Sequence, residues 1–306
     1  MAQASETLRA GRRTVEIKRP GKVLFPDDGL TKSGLAHYYA RVAPRMLPHL
    51  RGRPLMLEIH PDGLNGGTFM QKEIPRHYPD WVHRAELPKE GGTVTHVLCD
   101  DTATLLLLAG QACVTPHRFL SRADRPHHPD RLVFDLDPAG AGEDFEPVRR
   151  AALALGELLD DLRLPFSLMT TGSRGLHAVV PLDRSATTDD VLAFARDAAA
   201  ALAARHPDTL TTAPRKADRG DRLYLDVARN GYAQTAVAPY AVRALPGAPV
   251  AAPIGRDDLD DPALTARRHT VAGVDDLLAT DPWRDAPRRG RSLRPARDRL
   301  RRLTGT

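Results

Sequence analysis

Cysteine is nearly absent from this 306-residue chain. Only Cys99 and Cys113 occur. Their spacing fits neither a metal site nor a redox pair, so a disulfide framework is excluded and both read as small core residues. No run of 18 apolar residues exists, which excludes a membrane-spanning helix. The N-terminus carries Glu6 and several arginines where a secretory leader needs an apolar stretch, so the chain reads as cytoplasmic. No internal repeat is found.

What is abundant is positive charge at the two ends. Net charge is +5. Residues 284–306 hold nine Arg against Asp285 and Asp298, and the first 22 residues hold six basic side chains against Glu6 and Glu16. The body between them is therefore acidic. Basic ends on an acidic body suggest a polyanion partner with a carboxylate-rich site in between. Residues 1–13 are expected to be a disordered basic N-terminus, 14–283 a single catalytic domain, and 284–306 an Arg-rich tail.

Strand and helix patterns interleave. The stretches 53–59, 94–99, 166–169, 176–181 and 223–227 read as strands, and 115–129 as a loop rich in His, Arg and Pro. Helices are expected after Thr31 or Ser33, with Pro44 kinking or ending the first part, after Asp100 or Asp101, from Pro147 to Leu162, and from Thr188 to Arg205. The class is α/β or α+β.

The chain is organised around Arg131-Leu-Val-Phe-Asp-Leu-Asp137, closed by Pro138. Alternation places Leu132, Phe134 and Leu136 on one face and Val133, Asp135 and Asp137 on the other. Alternate residues on one face lie about 7 Å apart, close enough for two carboxylates to converge on a divalent cation. Thr170-Thr-Gly-Ser-Arg-Gly-Leu-His177 has the composition of a phosphate loop: two glycines free the backbone, Ser173 supplies a hydroxyl and Arg174 a charge. It is no Walker A, and a plain hairpin has the same composition. Asp226, in Leu223-Tyr-Leu-Asp-Val227, is a third strand-borne acid. Three such acids beside a phosphate loop suit two-metal phosphoryl transfer.

These motifs, with Leu225-Asp-Val-Ala-Arg-Asn230, Pro239-Tyr-Ala-Val-Arg243 and Pro246-Gly-Ala-Pro-Val250, closely resemble the polymerase domain of bacterial DNA ligase D, of the archaeo-eukaryotic primase superfamily. The resemblance runs from about Val15 to about Leu278. It implies a primase-polymerase fold with a mixed or antiparallel catalytic sheet flanked by helices. It implies that Asp135, Asp137 and Asp226 bind two Mn²⁺ or Mg²⁺ ions and carry the catalysis, Asp226 also activating the primer 3′-hydroxyl. It assigns His117, Ser173, Arg174, His177 and Arg243 to the nucleotide, an NTP or dNTP. It assigns Phe69 and Lys72 to the template strand, and Lys22 and Lys32 to a 5′-phosphate. A helix N-terminus opening at residues 31–33 is expected to add backbone N–H groups to that phosphate.

The sequence departs from the family pattern at Arg174, where Lys is frequent, at Thr115, where Glu is usual, at Met70, where an aromatic is frequent, and at Glu58-Ile-His60, where a basic residue is common. These departures bear on template contacts more than on the acids. The expected activity is templated addition of nucleotides, with ribonucleotides preferred, at short gaps or double-strand breaks during non-homologous end joining. A primase that starts chains de novo and a catalytically silent DNA-end-binding module are the alternatives. No ligase or nuclease motif follows, so a stand-alone, monomeric, nucleoid-associated domain is expected, with Ku and a separate ATP-dependent DNA ligase as partners and no membrane.

Overall fold

The computed structural model describes residues 4–140, 144–287 and 289–305. It is a mixed α and β architecture with six α-helices among the described residues, and nearly all strand pairs are antiparallel. The contacts group into two compact units. One comprises residues 1–124, 235–251 and 269–279; the other 125–234, 252–268 and 280–306.

In the first unit a four-stranded antiparallel sheet has the order Thr235–Val237, Cys113–Phe119, Leu55–Ile59, Phe69–Gln71. The segment from Thr115, read as a loop from its prolines and charges, thus begins as a buried strand. Pro116 is tolerated because its position gives up only one ladder donor. The helix Lys32–Leu50 runs unbroken through Pro44 and Pro48. Both prolines are exposed, so the carbonyls that lose their partners face water. Its other face is buried: Tyr38 and Tyr39 donate their hydroxyls to the carbonyls of Tyr240 (2.7 Å) and Val114 (2.5 Å). The second helix, Thr102–Gly110, is capped by Asp101, whose carboxylate accepts from the Thr104 N–H at 2.8 Å.

The N-terminus is not disordered over its described part. Ser5–Ala10 pairs antiparallel with Arg13–Lys18. Val15 and Ile17 are buried, and Glu6 accepts hydrogen bonds from Ser33 and His37 on the first helix, which hold its carboxyl below the usual range.

The second unit is built on a six-stranded sheet ordered Leu210–Thr211, Leu223–Asp226, Arg131–Asp137, Leu176–Pro181, Ser167–Thr170, Pro253–Ile254. Only the first pair is parallel. Alternation divides the sheet cleanly. Leu132, Phe134, Leu136, Ala178, Val180, Leu223 and Leu225 share one buried cluster with the helices Glu146–Asp161 and Thr188–Arg205. The Thr188–Arg205 helix begins in a capping box, with Thr187 and Asp190 satisfying each other's backbone N–H groups. The opposite face carries the acids. The Arg-rich C-terminus is no loose tail: Leu293–Thr304 is a helix whose Leu293, Ala296 and Leu300 join the same cluster.

Candidate active site

The three acids come together by register. Arg131–Asp137 lies between Leu176–Pro181 and Leu223–Asp226, with Asp135 opposite His177 on one side and Asp226 on the other, and Asp137 opposite Tyr224. Directly paired residues of antiparallel strands project from the same face, so Asp135, Asp137, Asp226, Tyr224 and His177 line one surface. The adjoining turn is pinned by Asn230, whose side-chain amide accepts from the Val133 N–H (2.9 Å) and donates to the Val133 carbonyl (2.7 Å). Asn230 thus continues the ladder where the Asp226 strand has left it.

Each acid is held by cations. Arg174 and Arg219 meet the two oxygens of Asp137 at 3.0 and 3.1 Å. Arg229 lies 3.6 Å from Asp135 and 3.7 Å from Asp226, and Nε2 of His177 is 3.5 Å from Asp135. Arg219 is buried, donates also to the carbonyls of Ala213 and Pro214, and stacks 4.0 Å from the Tyr224 ring centroid. Burial and the nearby Asp226 push the Tyr224 phenol upward. Sequence reasoning missed Arg219 and Arg229. Both stand among loop charges, and nothing in their spacing separates them from solvated ones. Three hard oxygen donors facing one surface suit Mg²⁺ or Mn²⁺. Among the described residues no three side chains are gathered tightly enough to hold an ion as they stand, because the carboxylates are turned toward the guanidinium groups.

The glycine loop follows. Gly172 has φ +65°, and a Cβ on Gly175 would lie 2.2 Å from the Leu136 carbonyl oxygen, so only glycine fits against the strand Arg131–Asp137. The N–H groups of Ser173 and Gly175 both donate to the Thr171 hydroxyl, at 3.3 and 3.2 Å. These two amides are thus satisfied within the loop, to which Ser173 and Arg174 add a hydroxyl and a guanidinium. His177 is buried, with its Nε2 beside the Asp135 carboxylate across the paired strands.

The remaining assigned residues belong to the first unit. His117 stands in the strand Cys113–Phe119 opposite Met56 and Val237. Thr115 donates to the Val242 carbonyl at 2.7 Å, which ties that strand to the segment carrying Arg243. Glu58 lies 3.3 Å from Nε2 of His117 and 3.1 Å from Nε2 of His60. Phe69 and Met70 are exposed, as is Lys72. Phe69 pairs with Ile59 and Met70 with Glu58, so Met70 and not Phe69 shares the face of His117.

Lys22 and Lys32 converge with Arg19. Burial, then the charges of Arg19 and Lys22, lower the Lys32 pKa, and Lys22 is bridged to Asp62 at 2.5 Å. The helix start offers no open amides there, contrary to the sequence expectation. The N–H groups of Lys32, Ser33 and Gly34 already donate to Lys22 O, Pro20 O and Thr31 Oγ1. A phosphate at this point has the three cationic side chains to meet it.

Comparison with known proteins places this geometry. The sequence profile described as LigD, primase-polymerase domain, matches residues 31–283. The chain is 34% identical over 263 residues to the multifunctional non-homologous end joining protein LigD of Mycobacterium bovis, covering 83% of this chain and 34% of the relative. It is 30% identical over 280 residues to that of Pseudomonas aeruginosa, covering 90% and 33%. The chain thus spans about a third of the length of these curated relatives. In structure it is similar to the polymerase domain from Mycobacterium tuberculosis ligase D in complex with DNA, with TM-score 0.81, 32% identity, and coverage of 90% of this chain and 99% of that one. By these matches the chain belongs to the LigD primase-polymerase domain family.

Proposed function

We propose that this chain is a template-dependent nucleotidyltransferase that adds nucleotides, ribonucleotides by preference, to 3′ ends at short gaps or double-strand breaks during non-homologous end joining. The observation that carries the reading is the convergence of Asp135, Asp137 and Asp226 on one sheet face beside the glycine loop, in a chain of this family.

Those three carboxylates would hold the two divalent ions, Mn²⁺ or Mg²⁺. When bound, the ions supply charge neutralisation on the transferring phosphoryl group. The protein's own part is to hold three carboxylates rigidly on paired strands and to exchange their guanidinium partners for the ions. Asp226, its oxygen also accepting from the Ala228 N–H at 2.8 Å, is the acid assigned to the primer hydroxyl. Ser173 and Arg174, with His117 and Arg243, are assigned to the triphosphate. His177, beside Asp135, is assigned to the nucleotide with them. Phe69 and Lys72 are assigned to the template, and Lys22 and Lys32 to a downstream 5′-phosphate. Ku, a separate ATP-dependent ligase and a place at the nucleoid complete the proposal.

Primer extension on a gapped duplex with Mn²⁺ and either NTPs or dNTPs tests it. Templated extension that disappears in Asp135→Asn supports the reading. DNA binding with no extension by either nucleotide class would leave an end-binding module instead.

A further inference from the structure

The face of the four-stranded sheet that bears His117 also carries a partly buried carboxylate that the proposed chemistry has not used. Glu58 pairs in register with Thr115 on one side and Met70 on the other. It therefore projects from the same face as His117, two residues along the neighbouring strand. Its oxygens are divided between two rings: Oε2 is 3.3 Å from Nε2 of His117, and Oε1 is 3.1 Å from Nε2 of His60. Thr115 does not compete, since its hydroxyl donates to Val242 O.

We propose that Glu58 is a positioning residue of the nucleotide site, holding His117 in the orientation and the protonated form in which an imidazole ring meets a triphosphate. The inference rests on the assignment of His117 to the nucleotide. A neutral imidazole has one N–H to donate, whereas the imidazolium has two and a positive charge. With Nε2 facing Glu58, a second donor for a phosphate oxygen exists only in the doubly protonated ring. A carboxylate at this distance favours that state. One carboxylate neutralises one imidazolium. His117 is the ring in which a charge costs less, because its side chain is 15% exposed against 7% for His60, whose Nδ1 is buried with no hydrogen-bond partner.

Glu58 is itself held in the charged form: burial alone would raise its pKa, but its hydrogen bonds to His117 and His60, with the charge either ring carries when protonated, outweigh burial and hold it far below the usual carboxylate range. The other titratable groups that feel Glu58 are Tyr39 on the helix Lys32–Leu50 and Cys113 on the strand of His117. Burial pushes both upward, so neither carries a charge that competes for the pair near neutral pH.

The alternative is that Glu58 merely repels the triphosphate, and the two ideas predict opposite signs. Glu58→Gln keeps the shape and removes the charge. We expect the His117 ring titration, followed by proton NMR and assigned by its loss in His117→Ala, to move to lower pH by about one unit. The apparent KM for nucleotide at pH 8 should rise several-fold with a smaller change in kcat, and the KM–pH curve should shift in the same direction. Met56→Glu, added to Glu58→Gln, places a carboxylate directly opposite His117 and should restore both midpoints. That rescue also separates a charge effect from damage to the fold. An unchanged His117 midpoint, or a lower KM in Glu58→Gln, overturns the proposal. If His117→Ala raises KM while Glu58→Gln does not, the nucleotide assignment stands and this inference alone fails. If His117→Ala leaves KM unchanged, the assignment fails and the inference falls with it.

Discussion

Asp135 and Asp226, far apart in the sequence, face each other as a register pair on adjacent antiparallel strands and share one guanidinium, that of Arg229. Two carboxylates so placed repel one another unless a cation stands between them. In this structure arginine has that role.

Asp135→Asn and Asp226→Asn keep the size of the side chain and an oxygen that can still accept from Arg229 or the backbone. Nucleotide addition should fall at least about 100-fold, as for removal of a preorganised electrostatic contact. Duplex affinity, which comes mainly from Lys and Arg on phosphates, should stay near wild type. Single-turnover extension and fluorescence anisotropy measure the two quantities. Extension by Asp135→Asn at the wild-type rate would remove the acids from the mechanism.

Gly175 is fixed by packing rather than by flexibility. A methyl group there meets the Leu136 carbonyl of the strand Arg131–Asp137 at 2.2 Å, side chain against backbone. Gly175→Ala should cost about 1–3 kcal/mol of stability by forcing loop and strand apart, and should lower nucleotide addition by displacing Arg174 from Asp137. Urea unfolding with extension assays checks both. Gly67→Ala, where a Cβ meets nothing within 4 Å, serves as the comparison.

Lys22, Lys32 and Arg19 form a cationic cluster whose only ion pair among the described residues is to the exposed Asp62. A gap with a 5′-phosphate should bind more tightly than one with a 5′-hydroxyl, by the roughly 1.5–3 kcal/mol of a charged hydrogen-bonding site. Lys22→Ala with Lys32→Ala should erase the difference and leave extension of an ungapped primer-template intact. Asp62→Asn should widen it, since Lys22 then has no competing anion. Because Lys32 has a lowered pKa, a bound phosphate should draw it back up.

The C-terminal helix holds Arg297 and Arg299 against the protein, through Asp190 and the Leu162 carbonyl, while Arg294, Arg301 and Arg302 are exposed. Deleting the segment would strip Leu293, Ala296 and Leu300 from the core, so a truncation does not isolate its charge. Replacing the three exposed arginines with Gln should leave the melting temperature unchanged. It should reduce the slope of log affinity against log salt by about 0.9 for each DNA phosphate that is no longer neutralised. An identical slope would make these charges bystanders in DNA binding.

The local pattern alone determined a good deal. Strict alternation in Arg131–Asp137 and Leu223–Asp226, with apolar residues on one face, already required Asp135, Asp137 and Asp226 to project away from the core, because a strand's period is two wherever one face is buried. The helix Thr188–Arg205 was legible for the same kind of reason, its cap and apolar repeat being local. Tertiary structure decided what depends on partners distant in sequence. The N-terminal strand is ordered because Glu6 finds Ser33 and His37. The Arg-rich terminus is a packed helix because three apolar residues, sparse among arginines, find a cluster to join. Arg219 becomes part of the acid site through an interaction that no spacing encodes. Glu58 meets His117 only because two strands pair in one register, and a shift of one residue would have turned its carboxylate to the other face.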